Sequence, residues 1–597
     1  PLPPAAQQVY DHISFDPDKV SIAEKWTKGY QSFQTKMIDD LYPIAKYVSE
    51  ATKGGITLSI EENPYLLARL LRGVASKATV FIEQGTFGRV LGKVVGKRVM
   101  PAFKGEGLKQ ILKPVKNPAE WRDFSTYLVA KHSDELSALG IKTGISKDVA
   151  ARAVQELEAQ YADFSKIADK LYKYQSDLLD YIQESGLINQ TLREKLNQKY
   201  LAYVPFYRVM DDIAAKGFLG KKLANIASPI KRIKGSERTI INPLENIVKN
   251  TYAYINAADR NQVGVMMARL ANEVPGIKPM FERIDTPISR VATVTAKELG
   301  IDLSGLPEEM AEAVFNIFRP SIRNPDGVVT VLIDGKRAFF KTSPDMQAAL
   351  LSTDTFNMGL IGKLLTMPTK WLRAGATLSP DFMIRNPLRD MFSAFVYSKN
   401  GFIPGVDFMR GVFSILKRDK DYTLFKMSGA EHSMLVSLDR EVLSKTFKEI
   451  LEGEKFPDYI KHPLKLLQLS SELGEKATRL GEFKAGLRPG RSVLEAGFAA
   501  RDVTLDFAKA GTQAKAINQV IAFFNANVRG WDKLYTAFKE RPGQTMLKVA
   551  AGITVPSILL YLVNRDDPRW KEIPQWQKDL FWIVFVGDTI YRIPKPF

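Results

Sequence analysis

A chain of 597 residues with 45% hydrophobic and 25% charged side chains is long enough for about three or four domains, and this balance excludes a disordered or multi-spanning membrane chain. The absence of cysteine excludes disulfides, thiolate nucleophiles and thiolate metal sites, and His12, His132, His432 and His462 lie too far apart in sequence to pair as ligands on one helix. The formal net charge of +18 predicts attraction to polyanions such as nucleic acid or an anionic membrane surface.

The chain begins on Pro1 without a charged-then-apolar leader, so the expectation is a processed product or a fragment of a longer protein. Residues 1–145 read as a helical region. Trp26, Tyr30, Phe33, Met37 and Leu41 step by three or four along one face, and Asn63-Pro64 caps a helix whose apolar side runs through Leu67, Leu70, Leu71 and Val74. Residues 85–107 differ from their surroundings: Gly88, Gly92 and Gly96 are four apart, with valines and cations between them. The spacing predicts a helix with a glycine groove, packed in protein or lying on an anionic bilayer, with a basic loop as the other reading. Arg89, Lys93, Lys97, Arg98, Lys104 and Lys109 are its candidate anion contacts, and Lys221, Lys222, Lys231, Arg232, Lys234 and Arg238 form a second basic group.

From Ser146 to Gly186 a three-four alternation predicts one long helix, capped by Ser146 and ended by Gly186, with TLREKLNQKYLAYV returning beside it as a hairpin; this opens a region spanning 146–290. Residues 291–345 read as a small α+β insert. Within it, Asp334-Gly335 joins strands 328–333 and 336–341. Residues 346–543 are helical, with a sharp break and restart at Asn386-Pro387. Ser470–Trp531 carries Glu475, Arg479 and Glu482 on one side of a helix, and Arg501, Asp502 and Asp506 follow on a second. Inter-helix ion pairs between these sets, with Arg385, Arg389 and Asp390 bridging to the second, are the expectation; a carboxylate site lacks a completing group. Residues 544–597 open on the apolar run Met546–Val563. It is interrupted by Lys548 and Pro556 and reads as a buried helix pair, or else as a membrane-active segment exposed by rearrangement. A hairpin of 581–586 and 589–593 closes the chain. The fold class expected is mainly α: a multi-domain helical assembly with a long helical hairpin and one or two small β-hairpins.

KYLAYVPFYRVMDD and INPLENIVKNTYAYINAADRNQV resemble the region named for a PLxRFG motif in very large bacteriophage proteins. Pro205 and Arg208 stand where the motif has Pro and Arg, whereas Phe206, Val209 and Met210 replace its Leu, Phe and Gly. SPDFMIRNPLRDMFSAFV, with Asn386, Pro387, Arg389 and Asp390, and the Ser470–Trp531 stretch resemble a large polyvalent protein-associated domain of the same proteins. The resemblance runs from Lys199 onward. It implies a non-catalytic structural protein of the virion interior, without cofactor, packaged with DNA and delivered on genome ejection. Its implied partners are portal or core proteins, DNA held non-specifically, the host envelope and further copies of itself. The alternative is a non-catalytic C-terminal region of a larger injected enzyme, such as a virion RNA polymerase or an antirestriction protein.

Overall fold

The computed structural model describes residues 30–138, 144–199, 243–285, 327–351, 380–431, 463–488, 490–504 and 524–595, together with 509, 511, 512 and 514. Among them the chain is mainly α-helical, with three small antiparallel sheets. A π-turn at Gln34–Ile38 leads into α1 (Tyr42–Lys53), α2 (Pro64–Leu70) and α3 (Val74–Glu83). The wide turn rotates the helical register, so the expected stripe does not persist: Tyr30 and Phe33 face solvent while Leu41 is buried, and Trp26 lies outside the described residues. Asn63 caps α2 as expected, its side chain accepting from the amides of Tyr65 and Leu66.

The glycine-rich stretch is a β-hairpin, not a helix: β1 (Gly85–Val95) pairs with β2 (Arg98–Glu106) across the turn Gly96-Lys97. Gly96, at φ +60°, supplies the left-handed backbone that a two-residue hairpin requires at its first turn position. The pairing slips between Phe87 and Gly92, and Gly88 and Gly92 each meet their own neighbours. A Cβ on Gly88 would meet the Glu184 carboxylate, and one on Gly92 would meet Val99 and Val493.

Helix α4 (Pro118–Ala138) packs against α5 (Lys147–Gln160). The helix expected from Ser146 to Gly186 is in fact two, α5 and α6 (Phe164–Glu184). The break falls at Tyr161, whose ring stacks on Phe164 at 4.3 Å and whose hydroxyl donates to Asp123 of α4 at 2.8 Å. That tertiary bond outweighs the continuous apolar pattern. Both terminal caps are as expected, with Ser146 accepting from Val149 N–H and Gly186 at φ +78°. Helix α7 (Gln190–Lys199) returns along α6, tied by Arg193 to Asp180 and Ser176.

Helix α8 (Pro243–Glu273) is buried around most of its circumference, polar residues such as Asn250, Thr251, Asp259 and Asn261 included, and α2, α3, α4 and α6 surround it. Leu244, Ile247, Ile255, Ala258, Val263 and Met267 are all buried along it. Beside it lies a sheet of order β3-β5-β4, from β3 (Phe281–Ile284), β4 (Val328–Ile333) and β5 (Lys336–Thr342). Asp334 and Gly335 both adopt positive φ, as the Asp-Gly hairpin predicts. Asn261 of α8 fixes the register, since its amide nitrogen donates to Leu332 C=O at 2.8 Å and its oxygen accepts from Leu332 N–H at 3.0 Å.

After α9 (Pro344–Leu351), α10 (Pro380–Tyr397) runs unbroken through Pro387, against the expected break. The Pro387 ring lies over Gly474, where no side chain opposes it. Helices α11 (Val406–Lys417), α12 (Lys420–Met427), α13 (Pro463–Gly486) and α14 (Val493–Val503) follow, with α13 central to the group. Helix α15 (Phe524–Glu540) precedes α16, a continuous helical run from Pro542 to Asn564. The terminal hairpin of β6 (Phe581–Val586) and β7 (Thr589–Pro594) forms as expected.

Helices α11 and α13 touch backbone to backbone. A Cβ on Gly411 would overlap the Ala477 carbonyl, and one on Gly481 the Asp407 carbonyl. Gly→Ala in an open helix interior stabilises by roughly 0.5–1 kcal/mol. Gly530→Ala in α15, where a Cβ meets nothing within 4 Å, should therefore raise the thermal midpoint, whereas Gly411→Ala should lower stability by about 1–3 kcal/mol. Differential scanning calorimetry of the two variants reads the opposite signs.

Candidate functional site

The candidate residues fall into three structural settings. In the basic hairpin, Lys93, Lys97 and Arg98 stand exposed at the tip, interleaved with the exposed Val90, Val94 and Val95. Lys104 pairs with Glu184, and Lys109 is half-buried on a single helical turn, Leu108–Ile111. Arg89 points inward. Its Nη1 donates to Asp259 Oδ1 at 3.1 Å, its Nη2 donates to Ala258 C=O at 3.3 Å, and its guanidinium lies over the Tyr181 ring. Lys221, Lys222, Lys231, Arg232, Lys234 and Arg238, and with them Pro205 and Arg208, lie outside the described residues.

The inward turn of Arg89 completes a charge centre that local spacing does not announce. Asp259 of α8 is buried and receives Lys77 Nζ of α3 at 2.7 Å, Arg89 of β1, and the Tyr181 hydroxyl of α6 at 2.6 Å. Burial opposes ionisation of Asp259. Lys77 and Arg89 outweigh it, aided by the hydrogen bonds from Lys77 and Tyr181, and hold the carboxyl below its ordinary value of 3.8. With its oxygens occupied by donors and its affinity for protons reduced, the carboxylate is equipped to clamp four elements together. Lys77 and Asp259 are 182 residues apart, so only the fold brings them into register.

The expected ion-pair lattice of Ser470–Trp531 includes Glu475 and Asp506, which lie outside the described side chains; its other members are placed as follows. Arg479 of α13 is buried, and its Nε donates to Thr504 Oγ1 at 2.8 Å. Arg501 of α14 is also buried, and its Nη1 donates to the Arg69 carbonyl at 2.7 Å. Glu482 accepts from Ser398 Oγ at 2.7 Å and Asn400 Nδ2 at 3.0 Å; burial pushes its carboxyl up against the pull of those bonds. Asp502 faces Arg69 at 3.7 Å rather than a residue of α13. Arg479, Glu482 and Arg501 thus each bond an uncharged group of a neighbouring segment, and Asp502 pairs with a charged one. Arg389 is exposed and Asp390 half-buried on α10. The side chains of Arg385 and Asn386 also lie outside the described residues.

The third setting overturns an expectation. Met546–Val563 is not a buried helix pair: α16 has a mean hydropathy of 1.9 over its most apolar window, and only 6% of that window is buried. Among the described residues, no group of three or more histidine or acidic side chains is placed to hold a metal ion.

Residues 567–597, the terminal hairpin and the turns before it, match the family model described as large polyvalent protein associated domain 38. This ties the C-terminal end of the chain to the large polyvalent proteins of phages over a short region, downstream of the segments that carry the sequence resemblance. Comparison with curated proteins and with solved structures finds no match.

Asp259→Asn leaves the buried Lys77 and the half-buried Arg89 without their counter-charge, and should cost about 3 kcal/mol in urea unfolding. Because the folded carboxyl has the lower pKa, the unfolded chain binds more protons on acidification. The stability that the carboxylate supplies is complete above 3.8 and is lost as pH falls through the lowered folded value. The stability difference between wild type and Asp259→Asn should therefore shrink over that acid limb.

Proposed function

We propose that this chain is a structural protein of the interior of a phage particle, packaged with the DNA and delivered with it on infection. The observation that carries this reading is the match of residues 567–597 to a domain associated with large polyvalent proteins, at the end of a mainly helical body. In this reading the chain works by binding, without a cofactor. Lys93, Lys97 and Arg98 at the tip of β1–β2 contact DNA phosphates non-specifically, and charge alone suffices for such contact. The exposed stripe of Ile403, Val406, Met409, Phe413 and Leu416 along and before α11 supports docking to further copies or to neighbouring particle proteins.

Mass spectrometry of purified particles should find this chain, and particles free of it would overturn the packaging reading. Duplex DNA binding by the isolated chain should weaken steeply with salt. Replacing Lys93, Lys97 and Arg98 together by Ala should flatten the slope of log affinity against log salt by roughly 0.9 for each phosphate that is no longer neutralised. An unchanged slope would remove the hairpin from the DNA-binding surface.

A further inference from the structure

Helix α16 presents a surface that water does not favour. Leu547, Val555, Ile558, Leu559, Leu562 and Val563 are each between 47% and 76% exposed. At about 100° per residue, the exposed positions from Ile558 to Val563 span an arc of about 200°, more than half of the circumference. A helix that binds a protein partner needs one apolar stripe, whereas a helix apolar over most of its girth suits a core or a bilayer. A core position does not apply, because only 6% of the window is buried.

The polar groups of α16 are arranged on the opposite side. Lys548 Nζ donates to Ser398 C=O at 3.0 Å, and Thr545 Oγ1 donates to Ala537 C=O at 2.9 Å. Ser557 Oγ accepts from Trp582 Nε1 at 2.8 Å, and Asn564 Nδ2 donates to Ile583 C=O at 2.6 Å. Hydrogen-bonding capacity is thus spent on α10, α15 and β6, and the outer face is left almost wholly apolar. The π-turn Ala550–Thr554 immediately before Pro556 absorbs the proline's clash with the preceding turn, so the helical run is unbroken. Its 23 residues extend about 34 Å, which matches a hydrocarbon layer about 30 Å thick. Exposed aromatic side chains precede and follow it in the sequence, Trp531 and Tyr535 before it and Trp576 and Tyr591 after it, and such side chains favour the interface of a bilayer.

We propose that α16 inserts into the hydrocarbon layer of a lipid bilayer through this outer face, in the conformation described and without prior exposure by rearrangement. The inference stands apart from the particle reading and needs neither DNA nor packaging.

The test floats the full chain on a density gradient with vesicles of phosphatidylethanolamine and phosphatidylglycerol, at low and high salt. Wild type should float, should stay with the vesicles at high salt, and should show tryptophan quenching by brominated acyl chains. Leu559→Asp with Val563→Asp should reduce vesicle binding about tenfold or more, because a carboxylate is costly in hydrocarbon. Phe413→Asp, on the separate stripe of α11, should float like wild type. Failure of wild type to float, release by salt alone, or equal flotation of the double variant would each overturn the proposal. So would a wild-type chain that stays off vesicles and forms an oligomer which the double variant dissolves, since the face would then belong to a second copy. If the double variant fails to fold, the quenching of wild type decides. A chain that floats yet is missing from purified particles would remove the packaging reading and leave this one standing.

Discussion

A carboxylate can sit in the middle of a buried 31-residue helix only if its charge is answered in place, and at Asp259 three donors from three other elements do so. Burying an ion costs several kcal/mol unless partners and hydrogen bonds repay it, so the positions of α3, β1 and α6 around α8 are not independent of one another. The hairpin β1–β2 owes its seat to this. Arg89 reaches Asp259 with the strand lying close against α6, and Gly88 permits that approach because a Cβ there would meet the Glu184 carboxylate. The two basic ends of the same hairpin consequently have different characters, one neutralised in the core and the other exposed at the tip.

The sequence was legible where a local rule has a single structural solution. Asp334-Gly335 accepts positive backbone angles at both turn positions, so the hairpin and its register followed directly; the same holds for the Asn63 and Ser146 caps. It misled where one pattern fits two geometries. Glycines four apart lie on one face of a helix and equally on one face of a strand, and the valines between them decide for the strand. The three-four alternation through Tyr161 described both halves of the helical stretch correctly but could not register that the Tyr161 hydroxyl would be drawn to Asp123 on another helix. Among the candidate site residues, Arg479, Glu482 and Arg501 were legible as buried polar fixtures. Their partners were not, because the Thr504 and Ser398 hydroxyls and the Arg69 carbonyl lie on other segments and carry no mark in the sequence. Asp259 escaped notice for a related reason, since its partners are distant in the chain.

The α11–α13 contact and the α16 surface show opposite uses of small and large residues. In the first, glycine removes side chains so that two backbones meet and polar groups such as Glu482 are shielded from water. In the second, large aliphatic groups project outward while every long-range polar contact is turned inward. One arrangement closes a surface and the other leaves it open, within the same C-terminal half.

Among the described residues strand β4 is an outer member of its sheet, and an unpaired strand edge is a standing invitation to other strands. Asn261 occupies both the N–H and the C=O of Leu332, so a helix side chain stands in for the missing neighbour at that point. The amide is a plug against edge-to-edge growth. A protein held at high local concentration gains from it a sheet that cannot be extended by another copy at this position.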